Sequence, residues 1–237
     1  MRSFDYIESG KTLLTPHTTS LLAAIHEAKG RQSIQTTIRP DILGTLVAVA
    51  RIQSTDASNR IEGISTSDSR LNDLVSEKVT PRNRNEEEIA GYRDALSVIH
   101  ESHDYIPITP NVILQLHRDL FRHTPLTFAG HFKDSDNVII ERDAHGTSTV
   151  RFAPPSALVT PELIERACSA YTQAIRDGHT DPLLAIAMFI LDFTCIHPFN
   201  DGNGRMSRLL TLLMLCRNGY MVGKYISIEH LIEQSKS

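Results

Sequence analysis

The sequence predicts an all-α protein, a bundle of helices with one short β-hairpin, and three observations carry that expectation. Apolar residues recur mostly at three- and four-residue spacing. The strong segments open on a capping residue or a proline. The β-rich pieces are confined to residues 128–152.

After an irregular start, "TTSLLAAIHEAKG" (18–30) reads as a helix closed by Gly30, and "PDILGTLVAVARIQ" (40–53) as a second with Pro40 in its first turn. "SDSRLNDLVSEKV" (67–79) is a shorter third. "NEEEIAGYRDALSVIHES" (85–102) puts carboxylates at the positive end of a helix, the plainest role for Glu86, Glu87 and Glu88, and spaces Ile89, Tyr92, Leu96 and Ile99 along one face. "TPNVILQLHRDLFRH" (109–123) has Thr109 as cap and Pro110 at the first helical position, with His117 read as a packed structural histidine. Next, "NVII" (137–140) and "STVRF" (148–152), joined by a polar turn with Gly146, predict a hairpin anchored by Phe128, Phe132 and Phe152. Helices resume at 160–178, 181–196, 202–219 and 227–237, without an internal repeat or a flexible linker. Two regions are expected, an N-terminal helical part over 1–83 and a main part over 84–237.

Apolar residues make up 41% of the chain and charged residues 22%, the balance of a folded globular protein. The net charge of -4 gives no whole-molecule attraction for nucleic acid, so direct nucleic-acid binding is not expected and any anion site has to be a local concentration of donors. Cys168, Cys195 and Cys216 form no CxxC pair, which favours reduced thiols and a cytoplasmic location. The apolar run 183–196 is interrupted by Asp192 well short of a membrane span, so no membrane partner is expected.

That run leads into "HPFNDGNGRMSR" (197–208). Pro198 ends one helix and a new one begins near Asn203, so the glycines sit at a helix start, where free amides bind anions and the lack of Cβ admits a ligand. Arg205 and Arg208 lie three residues apart on one helix face and suit neighbouring phosphates. Asp201 beside the same amides fits if Mg²⁺ bridges carboxylate and phosphate. His197 at the mouth can take a proton near neutral pH. No GxxxxGK(S/T) is present, and the glycines follow a helix rather than a strand, which argues against P-loop and Rossmann folds.

The segment resembles the Fic family signature HxFx(D/E)GNGRxxR, matched in full by His197, Phe199, Asp201, Gly202, Asn203, Gly204, Arg205 and Arg208. The resemblance implies a helical fold whose members mostly transfer AMP from ATP to a Ser, Thr or Tyr hydroxyl of a target protein. It implies that His197 deprotonates the hydroxyl and Asp201 holds Mg²⁺. Gly202, Asn203 and Gly204 then form the anion nest, Arg205 meets the β-phosphate and Arg208 the γ-phosphate, and Phe199 anchors the loop. A small residue at 204 favours AMP transfer over phosphorylation. The hairpin corresponds to the family's flap, with Asn137, Val138, Ile139 and Ile140 as the edge that pairs with the target.

Upstream, "SNRIEG" (58–63) resembles the family's inhibitory motif (S/T)xxxE(G/N). Ser58 and Glu62 are four apart and share a helix face. The resemblance implies that Glu62 pairs with Arg208 where a γ-phosphate would sit, giving autoinhibition in cis. Two other functions stay open at this level: removal of AMP from a modified protein, with Glu62 positioning water, and a nucleotide-sensing module without catalysis. Self-modification and a homodimer are further partner expectations.

Overall fold

The computed structural model describes residues 4–38, 40–142, 146 and 148–235. Among them are eleven α-helices and one two-stranded antiparallel sheet, so the expected all-α class with a single hairpin is the observed one. The helices are α1 (Tyr6–Leu13), α2 (Pro16–Ile38), α3 (Pro40–Ile61), α4 (Asp68–Val75), α5 (Arg84–Ser102) and α6 (Pro110–Leu120). After β1 (Ile139–Arg142) and β2 (Ser148–Phe152) come α7 (Thr160–Asp177), α8 (Pro182–Ile196), α9 (Asn203–Arg217), α10 (Val222–Tyr225) and α11 (Ile228–Gln234). No helix among the described residues is long and apolar enough to cross a membrane.

The core is built around α8, which is apolar on nearly every side because it is surrounded. Phe189, Phe193 and Ile196 of α8 pack with Leu209, Leu210 and Leu213 of α9 and with Leu96 and Ile99 of α5. Tyr6 of α1 joins this core and donates from its hydroxyl to Asp192 at 2.8 Å, which gives the carboxylate inside the apolar run a partner. A second cluster joins Leu71, Leu74 and Val75 of α4 to Ile89 of α5.

Local signals explain several boundaries. Thr109 caps α6 by accepting from Val112 N, with Pro110 opening the helix, as the sequence predicts. Asn83 caps α5 by accepting from Glu86 N at 3.0 Å. Asp181 caps α8 by accepting from Leu183 N at 2.9 Å.

Other expectations are corrected. The N-terminus is helical from Tyr6, because Asp5 accepts from Glu8 N and caps α1. Gly30 does not close α2, which runs through it to Ile38; a glycine inside a helix costs only about 1 kcal/mol, and the residues on either side of it favour helix. The second expected helix, α3, continues past residue 53 to Ile61 and so carries Ser58 on its last turns.

The first strand begins two residues later than expected, at Ile139, with Asn137 and Val138 before it, while the second has the expected bounds. The register pairs Ile139 with Phe152 and Ile140 with Val150, with an irregularity between Ile139 and Ile140. Gly146 lies in the turn at φ 83°, while the rest of the expected polar turn, 143–145 and 147, is outside the described residues. Phe128 and Phe132 do pack on the core, but Phe152 is 40% exposed and anchors nothing there. Every residue of β2 is exposed, so the hairpin stands off the body.

Candidate active site

The turn between α8 and α9 is folded by its own side chains. His197 caps α8 in the left-handed region at φ 51°, and Pro198 prevents the helix from continuing. Asn203 then clasps the turn twice, accepting from Phe199 N at 2.9 Å and donating to Phe199 O at 2.8 Å. The Asn203 side chain therefore serves the loop, and only its backbone amide is left to the expected nest. Gly202 is the N-cap of α9 at φ 82°, and a Cβ there would stand 2.9 Å from the Phe121 ring, so conformation and space both require glycine.

Beneath the turn, Phe199 stacks on His117 with ring centroids 3.7 Å apart. His117 is wholly buried; its Nδ1 accepts from Gly130 N at 2.9 Å, so Nε2 carries the proton and donates to Asp201 O at 3.1 Å. Burial lowers its pKa to about 4 and keeps the ring neutral, as that donor and acceptor pattern requires. The packed histidine of the sequence analysis thus fixes residue 201 from below.

Above the turn, His197 is half-buried. Desolvation lowers its pKa and the charge of Lys133 adds to the effect, while a hydrogen bond to the Thr194 carbonyl and the charge of Glu62 oppose it. Asp201 is half-exposed; its Oδ1 accepts from Gly202 N at 2.6 Å and its Oδ2 lies 3.7 Å from Arg84 Nη2. The amides of Asn203, Gly204 and Arg205 open α9, where no intrahelical carbonyl reaches them.

The two arginines do not share an open face. Arg205 turns inward and is 1% exposed, with Nη1 2.7 Å from Glu88 Oε2, Nη2 3.8 Å from Asp201 Oδ1 and its guanidinium over the Phe121 ring. Its Nε and Nη1 are buried without an aligned hydrogen-bond acceptor. Arg208 turns the other way, to α3. Its Nε donates to Ser58 Oγ at 2.8 Å, and its Nη2 donates to Ser58 O at 2.9 Å and to Glu62 Oε1 at 2.7 Å. Each guanidinium follows its own carboxylate, and that separates two side chains only three residues apart. Glu62 also crowds the nest, since a Cβ on Gly204 would come within van der Waals overlap of its Oε1.

The structure therefore gathers His197, Asp201, Gly202, Gly204, Arg208, Ser58 and Glu62 around one turn, with Arg205 just beneath. Ile139 and Ile140 lie on β1, and Ile140 and Val138 are more than half exposed. Asn137 points inward, donating to Phe199 O at 3.3 Å. Among the described residues no group of three or more His, Cys, Asp or Glu side chains could hold a metal ion unaided.

Sequence reasoning missed Glu88, Arg84 and Lys133. Glu88 is buried and also accepts from Arg84 Nε at 2.8 Å. Glu86 is buried against Arg70 at 2.5 Å, which lowers its pKa to about 2. The acidic run is thus more than a helix start, and the four-residue spacing of Arg84 and Glu88 was the available signal. Nothing in the sequence marks Lys133 as buried.

The sequence profile of the Fic/DOC family matches residues 107–215. The chain is 37% identical over 90 residues to a Fido domain-containing protein of Dictyostelium discoideum, covering 36% of this chain and 58% of that one. It is 28% identical over 145 residues to protein adenylyltransferase fic-1 of Caenorhabditis elegans, covering 58% of this chain and 25% of that one. The chain thus spans between a quarter and three-fifths of the length of these relatives. A solved Fic family protein from Desulfovibrio desulfuricans superposes with a TM-score of 0.75 at 24% identity, over 93% of this chain and 63% of that one. Residues 107–215 are thus a domain of the Fic/DOC family.

Proposed function

We propose that the chain is a protein adenylyltransferase that moves AMP from ATP to a Ser, Thr or Tyr hydroxyl of a target protein, or of itself, and that α3 holds it at rest. The names of two relatives, each a protein adenylyltransferase, support the reaction class. The observation that carries the reading is the meeting of an imidazole, a helix-start nest and a guanidinium held by Glu62 at one turn.

In this reading the first-turn amides of α9 take phosphate oxygens, and the unaligned donors of Arg205 add charge from beneath. The neutral His197 accepts the proton of the acceptor hydroxyl while that oxygen bonds to the α-phosphorus. The bond from the α-phosphorus to the bridging oxygen breaks, and pyrophosphate leaves with the electron pair. The accessible carboxylate of Asp201 fits Mg²⁺ in the mode where one side chain and substrate phosphates share the ion, which would neutralise charge on the α- and β-phosphates. Arg208 is the group suited to the γ-phosphate, and Glu62 occupies it. Breaking a carboxylate-guanidinium pair from one side costs about 3 to 5 kcal/mol when it is buried, and Glu62 is partly exposed, so the lock is weaker than that limit. Residues 1–83 then regulate, and 84–237 react.

Incubation with ATP labelled on the α-phosphate tests the reading. Glu62→Gly is expected to label protein more strongly than wild type, and adding His197→Ala is expected to abolish the signal. Equal labelling by all three chains overturns the assignment. Loss of AMP from a modified protein with wild type but not Glu62→Gly would instead mark the chain as the removing enzyme.

A further inference from the structure

The turn that carries His197 is tied to the base of the hairpin by two side chains that the sequence motif does not include. Three carbonyls flank the imidazole, those of Ile196, Pro198 and Phe199. Lys133 Nζ donates to the first at 3.2 Å, Lys133 N to the second at 2.9 Å and Asn137 Nδ2 to the third at 3.3 Å. The two side chains also join each other, Lys133 Nζ donating to Asn137 Oδ1 at 3.0 Å.

We propose that Lys133 and Asn137 are positioning residues for His197, holding the imidazole and the hairpin in one fixed relation so that an acceptor docked on the hairpin meets the base in register. This rests on the reading of His197 as the base and deepens it.

Two physical costs point the same way. Lys133 is 3% exposed, and its hydrogen-bond acceptors are a carbonyl and an amide oxygen, an expensive setting for an ammonium. The left-handed conformation of His197 is disfavoured for a residue with a Cβ and persists only where its surroundings over-determine it. An ammonium on the Ile196 carbonyl, the last of α8, answers both, because a carbonyl there has no helical partner and carries the negative end of the dipole.

The lysine charge has a second effect. The charged groups acting on His197 are Lys133 from the hairpin base and Glu62 from the end of α3, with opposite signs, and the Thr194 carbonyl takes a ring hydrogen bond. Lys133 opposes protonation and so keeps the base neutral. Asn137 contributes geometry without charge.

The test compares Lys133→Met, Lys133→Arg and Asn137→Ala in a Glu62→Gly chain, with folding checked by circular dichroism. Two quantities are read: self-labelling from ATP, and the His197 titration midpoint by ring-labelled histidine NMR assigned with His197→Ala. Lys133→Met is expected to lower the maximal labelling rate about tenfold or more with little change in the KM for ATP, and to raise the midpoint. Lys133→Arg is expected to restore both. Asn137→Ala is expected to lower the rate and leave the midpoint in place.

A folded Lys133→Met chain with parental rate and midpoint overturns the proposal. So does a loss of rate that Lys133→Arg does not restore while the midpoint stays put, because that is structural damage alone. If the Glu62→Gly parent fails to label, the transferase reading fails, and the midpoints still decide whether Lys133 acts on His197.

Discussion

At the scale of single residues, the site is held by close contacts whose loss leaves only a weaker partner behind, as for Arg205, where Asp201 Oδ1 is 3.8 Å away. Glu88 faces Arg205 at 2.7 Å inside the protein, so Glu88→Ala leaves a guanidinium buried without its carboxylate. Urea unfolding is expected to show a loss of about 3 to 5 kcal/mol, with a smaller loss for Glu88→Gln, which keeps the volume and an acceptor. A change under about 1 kcal/mol for Glu88→Ala would mean that solvent already serves Arg205. Gly202→Ala meets a positive φ and the Phe121 ring together, and is expected to cost about 1 to 3 kcal/mol in the same measurement. The contrasting case is Arg60 with Glu233, a two-pronged contact on the surface at 2.9 and 2.7 Å. Arg60→Ala is expected to change stability by no more than about 1 kcal/mol, since exposed pairs gain little over water.

At the scale of elements, the proposed resting state depends on the end of α3, where Ser58 on its last turn and Glu62 just beyond it both meet Arg208 of α9. How far this was legible in the sequence follows from which interactions are local. The starts of α6 and α9 were readable, since Thr109, Pro110 and the glycines act within a few residues of themselves. Glu62 opposite Arg208 was also readable, but only through a resemblance, as 146 residues separate the two. The length of α3 was misjudged because its buried side is polar; Ser54, Thr55, Ser58 and Asn59 are almost wholly buried and break the apolar spacing that marks a helix. The sequence reads Glu88 as part of a helix start and Asn137 as part of the edge that pairs with the target, and it gives Lys133 no role. Their roles depend on α9 and the α8 end arriving beside them, and tertiary placement of that kind leaves no trace in spacing.

At the scale of the whole molecule, acid should weaken the fold before it reaches the carboxylates. His100 and His117 are buried, and burial lowers each from the ordinary histidine value of 6.5 to about 4. Between those pH values the unfolded chain binds protons that the folded chain refuses. The sign is therefore a stability that falls as pH drops, by about 1.4 kcal/mol per pH unit for each histidine at full effect. Glu86, lowered from 4.5 to about 2 first by its Arg70 hydrogen bond, adds a loss in the same direction below pH 4.5. The urea midpoint is expected to fall clearly from pH 7 to pH 5, and a flat midpoint over that range would contradict the burial of both rings. The central claim is that Glu62 sits where a third phosphate would, and calorimetric binding of ATP and ADP to wild type and Glu62→Gly tests it most directly. The account predicts that wild type binds the two nucleotides about equally, whereas Glu62→Gly prefers ATP by about tenfold, as expected for one released charge-assisted contact. The same ATP-to-ADP ratio in both chains would contradict it.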